Sequence, residues 1–207
     1  MVGTLYFDIS GRYTSGDDAL DTFVADIVDA NTNASMTREE MLRAVYEYVR
    51  DHYLYLKRSL YEVGETGWEI PEALLMFQSG KGNCYNFTAA FWSLARGIGF
   101  DAVCYSGLVG VGRDPHSWVE ITFDGVPYVF DVETEMSYRL VNDYITSMYW
   151  KTYEEVAAWS YVRTPEEAAA TAPETAGCRD LPPHPGKIYR PSAGMNEALT
   201  EKIPLGL

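Results

Sequence analysis

Apolar residues recur at helical spacing through the first half of the chain and at alternate positions after residue 100. Leu20, Phe23, Val24, Ile27 and Val28 share one face of a first amphipathic helix. Thr37 and Glu40 have capping-box spacing and open a second, longer helix that is expected to run to about Leu56. Leu42, Val45, Tyr46, Val49 and Leu56 lie on one face of it together with His52, which makes His52 a core histidine with a satisfied ring. A short helix is expected over residues 71–77. Another follows Cys84, with Phe87, Thr88, Phe91, Leu94 and Ala95 facing the core. The period then changes to two, which predicts strands near 101–109, 115–123 and 126–132. Beyond Met136 the pattern weakens to a strand near 147–150 and a helix over 153–159.

Asp124-Gly125 is a hairpin turn signal between two alternating runs. A turn centred there sets Phe123 against Val126, Ile121 against Tyr128 and Val119 against Phe130. All six are apolar, so this register makes one fully hydrophobic face. His116, Trp118, Asp131 and Glu133 fall on the other. If the pairing continues, Glu133 lies directly opposite His116 and Asp131 is the diagonal neighbour.

Composition sets the class. With 207 residues, 47% hydrophobic and 14% aromatic, the chain has enough core for one domain without staples. A net charge of −14 argues against nucleic acid and anionic membrane surfaces as partners. No apolar run approaches the roughly 20 residues of a membrane-spanning helix, and no signal peptide is legible at Met1. Seven of the ten prolines follow Arg163. The expected organisation is a lead-in over residues 1–16, a domain over 17–162 and a Pro-rich extension over 163–207, packed on the domain or trailing from it.

Three cysteines are too few and too odd in number for a disulfide framework. Cys104 reads as a core residue of a strand, and Cys178 lies in the irregular C-terminal stretch. A bridge between them would leave Cys84 free, but the sequence does not establish it. No Cys-x-x-Cys or His-x-x-x-His occurs, so no metal is expected, and no cofactor. His184, set among prolines, reads as a loop residue.

Cys84 stands apart because Gly80-Lys81-Gly82-Asn83 supplies a loop and an N-cap immediately before it. A first-turn cysteine feels the positive end of the helix dipole and unpaired N–H groups, which lower a thiol pKa and can hold an oxyanion. The bland alternative is a small buried hydrophobe. His116 and a carboxylate on the following strands tip the reading towards a nucleophile, a base and an orienting acceptor.

The Gly-x-Cys helix opening, Gly97-Ile98-Gly99-Phe100-Asp101-Ala102, His116-Ser117-Trp118-Val119-Glu120 and Phe130-Asp131 together resemble the bacterial transglutaminase-like superfamily, over about residues 37–135. The resemblance implies an α+β papain-like core, with a helical N-terminal part and a catalytic helix packed on an antiparallel sheet. It also implies a Cys84–His116–Asp131 triad. Family members often continue Asp-Pro, whereas this chain reads Asp131-Val132-Glu133, which keeps Glu133 open as the alternative orienting carboxylate. Gln78, six residues before Cys84, has a spacing similar to the papain-type oxyanion glutamine. Trp68 falls where such enzymes often place an aromatic N–H donor.

The implied activity is thiol-dependent acyl transfer by a cysteine peptidase or amidase, acting on a protein, peptide or cell-wall-derived substrate. The alternatives are a cross-linking transglutaminase and a non-catalytic peptide- or glycan-binding module that keeps the fold. The stretch around Tyr6-Phe7-Asp8 and Ser15-Gly16 resembles part of a repeat of bacterial surface-binding proteins, which fits an extracellular or cell-surface domain excised from a larger secreted protein; the alternative location is the cytoplasm. The sequence leaves the substrate, the acyl acceptor and the oligomeric state open.

Overall fold

In the computed structural model, residues 6–7, 13–141 and 147–170 are described. A short antiparallel pair, β1 (Tyr6–Phe7) and β2 (Tyr13–Thr14), precedes the first helix. Asp17 opens α1 (Asp18–Asn31) by accepting hydrogen bonds from the N–H groups of Ala19 and Leu20. The capping box of Thr37 and Glu40 opens α2 (Arg38–His52), in which Leu42, Val45, Tyr46 and Val49 are buried. Then come α3 (Glu69–Ser79) and α4 (Cys84–Gly97).

The sheet is antiparallel, with spatial order β5 (Ala102–Val109), β6 (Asp114–Phe123), β7 (Val126–Phe130), β8 (Lys151–Thr152). The hairpin register is the one read from the apolar alternation: Val119 pairs with Phe130, Ile121 with Tyr128 and Phe123 with Val126. α4 lies in the middle, buried along nearly its whole length, with helices on one side and the sheet on the other. Phe87, Phe91 and Leu94 join Val119, Ile121 and Phe130 in one core, and Trp118, Val129, Met148 and Val156 form a second, smaller one. The architecture is therefore the expected α+β arrangement of a central helix on an antiparallel sheet. No described helix is long and apolar enough to cross a membrane.

Several elements depart from the sequence pattern. The second helix stops at His52, not Leu56, because Leu54–Tyr55 leaves it as β3 and pairs in parallel with β4 (Lys81–Gly82). His52 is exposed and stacks on Tyr48 at 4.7 Å between ring centroids, so it is not a core histidine. Leu56 is 46% exposed. The strand expected near 147–150 lies at Lys151–Thr152, and the helix expected over 153–159 is a run of turns ending in one 3₁₀ turn, Ala157–Trp159. Val162 bridges to Leu108 on the edge of β5, and a short helix, α6 (Pro165–Ala170), follows. The Pro-rich region beyond residue 170, with Cys178 and His184, falls outside the described residues.

The largest departure follows Phe130. The strand ends there, and α5 (Val132–Val141) begins where the hairpin was expected to continue. Asp131 caps this helix: its Oδ1 accepts from the Thr134 N–H at 3.0 Å, and its carbonyl from the Glu135 N–H at 3.2 Å. Acidic Glu133 and Glu135 in the first turn suit the positive helix end.

Glu135, 3% exposed, ties α5 to its surroundings. It takes hydrogen bonds from Arg50 (2.8 Å), the Tyr46 hydroxyl (3.0 Å) and the Met148 N–H (2.7 Å). Removing one partner of a buried ion pair strands the other charge, at a cost of about 3–5 kcal/mol. Arg50 keeps Asp51 as a partner, so the lower end applies. Glu135→Ala is expected to lower unfolding free energy by about 3 kcal/mol in urea titration, and a change below ~1 kcal/mol would contradict this account.

Candidate active site

The loop before Cys84 is shaped by two glycines. Gly80 ends α3 in the left-handed region (φ 69°), where its N–H closes on the Met76 carbonyl at 2.8 Å. At Gly82 a Cβ would come within 2.2 Å of the Asn86 Cβ, so a side chain there would displace Asn86. Asn86 needs that place because its Oδ1 accepts from the Asn83 N–H (3.0 Å), while Asn83 Oδ1 accepts from the Tyr85 N–H (3.1 Å). Cys84 is thereby fixed as the first residue of α4, 5% exposed, with its own N–H at the helix start, where no intrahelical acceptor exists.

His116 and Asp131 come from neighbouring chain segments on the sheet and are each 1% exposed. His116 Nε2 lies 2.7 Å from Asp131 Oδ2. His116 is also hydrogen-bonded to Cys84, and because Nε2 is taken by Asp131, Nδ1 is the ring nitrogen left for the thiol. All three expected residues are thus in one chain of contacts. Asp131, and not Glu133, makes the hydrogen bond to the imidazole. Glu133 sits in the first turn of α5, with its Oε2 3.9 Å from Nδ1, which is beyond hydrogen-bond length.

Two further residues support this chain of contacts. The Tyr161 hydroxyl donates to Asp131 Oδ2 at 2.6 Å, and Thr134 Oγ1 lies 3.4 Å from Nε2. Tyr161 arrives from the segment after the sheet, thirty residues downstream of Asp131, and no spacing in the sequence signals it. Tyr55 is a third addition. Strand β3 pairs it with Gly82, and it lies within electrostatic reach of Glu133 and Cys84. Burial is the main reason its hydroxyl holds its proton far beyond the ordinary tyrosine range.

Neither upstream donor stands as expected. The Trp68 ring is buried against Tyr61 and Tyr85, and its N–H is committed to the Glu65 carbonyl at 2.9 Å. Gln78 is exposed in the last turn of α3, whereas the thiol is buried.

Electrostatics follow from burial. For Asp131, burial pushes the pKa up, but His116 and the Tyr161 and Thr134 donors outweigh it, so the carboxylate stays ionised below its usual range. For His116, burial pushes the pKa down, and the facing Asp131 followed by the thiol reverse this to well above the ordinary imidazole value. The Cys84 thiol departs from the lowered value expected at a helix start. Burial raises its pKa, with only partial relief from His116. Glu133 is raised too, again chiefly by burial.

A family model of the transglutaminase-like superfamily matches residues 22–131, from α1 to Asp131. No curated protein matches the chain in sequence. Among solved structures, one described as a TGase is similar at 16% identity and a TM-score of 0.42, covering 55% of this chain and 31% of its own. A proposed cysteine protease from Cytophaga hutchinsonii is similar at 18% identity and a TM-score of 0.41, covering 56% of this chain and 37% of its own. The chain therefore spans about a third of the length of each.

A thiol whose pKa is raised yields thiolate only as pH climbs, and His116 works against that rise. Iodoacetamide labelling of Cys84, followed by peptide mass spectrometry, is expected to keep accelerating beyond the ordinary thiol pKa of about 8.5. His116→Ala is expected to move the curve to still higher pH. A plateau below pH ~7 in the unmodified protein would refute this, because it would mean a depressed thiol.

Proposed function

The chain belongs to the transglutaminase-like superfamily, and on that footing we propose that it is a thiol-dependent acyl-transfer enzyme acting on a peptide or carboxamide through Cys84, His116 and Asp131. The observation that carries this reading is the continuous chain of contacts from a helix-initial thiol through a buried imidazole to a buried, ionised carboxylate. A core cysteine kept only for packing has no use for such a chain, and burying its polar members costs free energy.

Cys84 and His116 titrate as a coupled pair, so the competent form is the one in which a single proton is shared between thiol and imidazole. Cys84 Sγ attacks the carbonyl carbon, and the thiol proton passes to His116 Nδ1. The tetrahedral oxyanion forms beside the Cys84 N–H at the head of α4, which stabilises it with the helix end. Collapse breaks the C–N bond as the imidazolium returns its proton to the departing nitrogen, leaving an acyl thioester on Cys84. Water or an amine then takes the acyl group, with His116 again accepting a proton. Asp131 keeps the proton on Nε2 of the neutral ring, so that Nδ1 is free to act as base. Hydrolysis of a peptide or amide is the simplest outcome, because water is always available. An amine acceptor would give cross-linking instead.

Asp131→Asn would present an amide that supports the wrong ring tautomer and is expected to reduce turnover on the order of 10⁴-fold. Loss of the Tyr161 hydroxyl in Tyr161→Phe leaves the carboxylate in place and is expected to cost far less. Incubating the protein with a library of peptide carboxamides and amines, with Cys84→Ala as control, should reveal a Cys84 thioester by intact mass. Failure to trap any adduct on Cys84 with carbonyl-directed probes would favour a binding module that merely keeps the fold.

A further inference from the structure

Asp131 already supplies the hydrogen bond that orients His116, so the second buried carboxyl beside the ring has a different task. Glu133 is 2% exposed, and burying a carboxyl is costly unless something is gained. Ser137 Oγ donates to its Oε1 and fixes the side chain within α5. Its Oε2 lies 3.9 Å from Nδ1, whereas Asp131 faces the other ring nitrogen, Nε2. That distance is too long for the two atoms to satisfy each other. It is short enough for one nitrogen to be held against both. A nitrogen so held lies on the Nδ1 side of the ring, the side left for the thiol once Nε2 is taken by Asp131. During acyl transfer the departing or incoming nitrogen must stand there, because Nδ1 is the atom that exchanges a proton with it.

We infer that Glu133 Oε2 accepts a hydrogen bond from the amide nitrogen of the acyl donor and, by microscopic reversibility, from the nitrogen of an amine that attacks the thioester. This rests on the acyl-transfer reading above. The proton balance is unchanged. Cys84 Sγ bonds to the carbonyl carbon, its proton goes to Nδ1, and Nδ1 gives that proton to nitrogen as the C–N bond breaks. Glu133 neither gains nor loses a proton overall. As the nitrogen takes up the proton it develops positive charge, and a hydrogen bond to a carboxyl oxygen strengthens in step. The contact is therefore stronger in the transition state than in the bound substrate, which is the condition for raising the rate. An ester has no N–H at this position and cannot use Glu133. The site is thereby built to prefer amides over esters of the same acyl group.

The test is single-turnover acylation of Cys84, followed by intact mass, with a peptidyl primary carboxamide and the methyl ester of the same acyl group, whose leaving group must also take a proton from His116. Glu133→Leu keeps the bulk and removes the acceptor, and Glu133→Gln restores a carbonyl acceptor. The amide-to-ester rate ratio is expected to fall roughly 10–100-fold in Glu133→Leu and to recover most of that in Glu133→Gln. Because the ratio is internal, a merely structural loss would lower both rates together and leave it unmoved. An unchanged ratio in Glu133→Leu, or no recovery in Glu133→Gln, would overturn the inference. If neither substrate acylates the unmodified protein, the acyl-transfer reading itself fails, and this inference with it.

Discussion

Asp131 ties the start of α5, His116 and Tyr161 to one side chain. One carboxylate oxygen caps α5 through the Thr134 N–H, and the other faces His116 Nε2 and takes the Tyr161 hydroxyl. Strand, helix and imidazole therefore meet on a single side chain. A helix cap and a facing imidazole each need an acceptor oxygen, and a carboxylate has two, so the contacts reinforce each other instead of competing. The donors around it overcome the penalty of burial, which is why a carboxylate that is 1% exposed remains charged.

Around that point the polar interior is layered. Glu135, one turn along α5, is secured by Arg50 and Tyr46 from α2 and by the Met148 N–H. The Tyr46 hydroxyl also approaches the Asp131 carbonyl at 3.2 Å. On the far side of the ring, Asn83 and Asn86 fix the start of α4 through reciprocal hydrogen bonds and place the thiol. The apolar core does the rest. Phe91 and Phe130, 5.6 Å apart between ring centroids, lock α4 onto the strand that ends in Asp131. Cys84 and His116 sit on different elements, and packing of those two elements sets the distance between them.

The burial that makes the site rigid also shapes its chemistry. A helix-initial position favours the thiolate, but burial in apolar surroundings works against it. Here Cys84 is almost wholly enclosed, and desolvation outweighs the relief that His116 provides. The same enclosure raises Glu133, while the facing Asp131 holds the imidazole pKa above its ordinary value.

Much of this was legible along the chain. The capping box at Thr37, the cap at Asn83, the turn at Asp124-Gly125 and the apolar alternation on β6 and β7 are local signals, and each fixed its element and register. They were enough to bring Cys84, His116 and Asp131 together as candidates. The strand-to-helix switch at Asp131 also had a local signature, an aspartate followed by acidic first-turn residues, but the hydrophobic alternation before it masked that signal. What the chain could not reveal depends on contacts between distant segments. Only packing decided that Trp68 spends its N–H on Glu65, that Tyr55 and Tyr161 join the site, and that the second helix yields Leu54–Tyr55 to a strand. The sequence by itself determined which residues can carry the chemistry, because caps, turns and periodicity act over a few residues. The tertiary structure decided their protonation and the division of labour between Asp131 and Glu133, because desolvation and hydrogen-bond distance exist only once remote segments close around them.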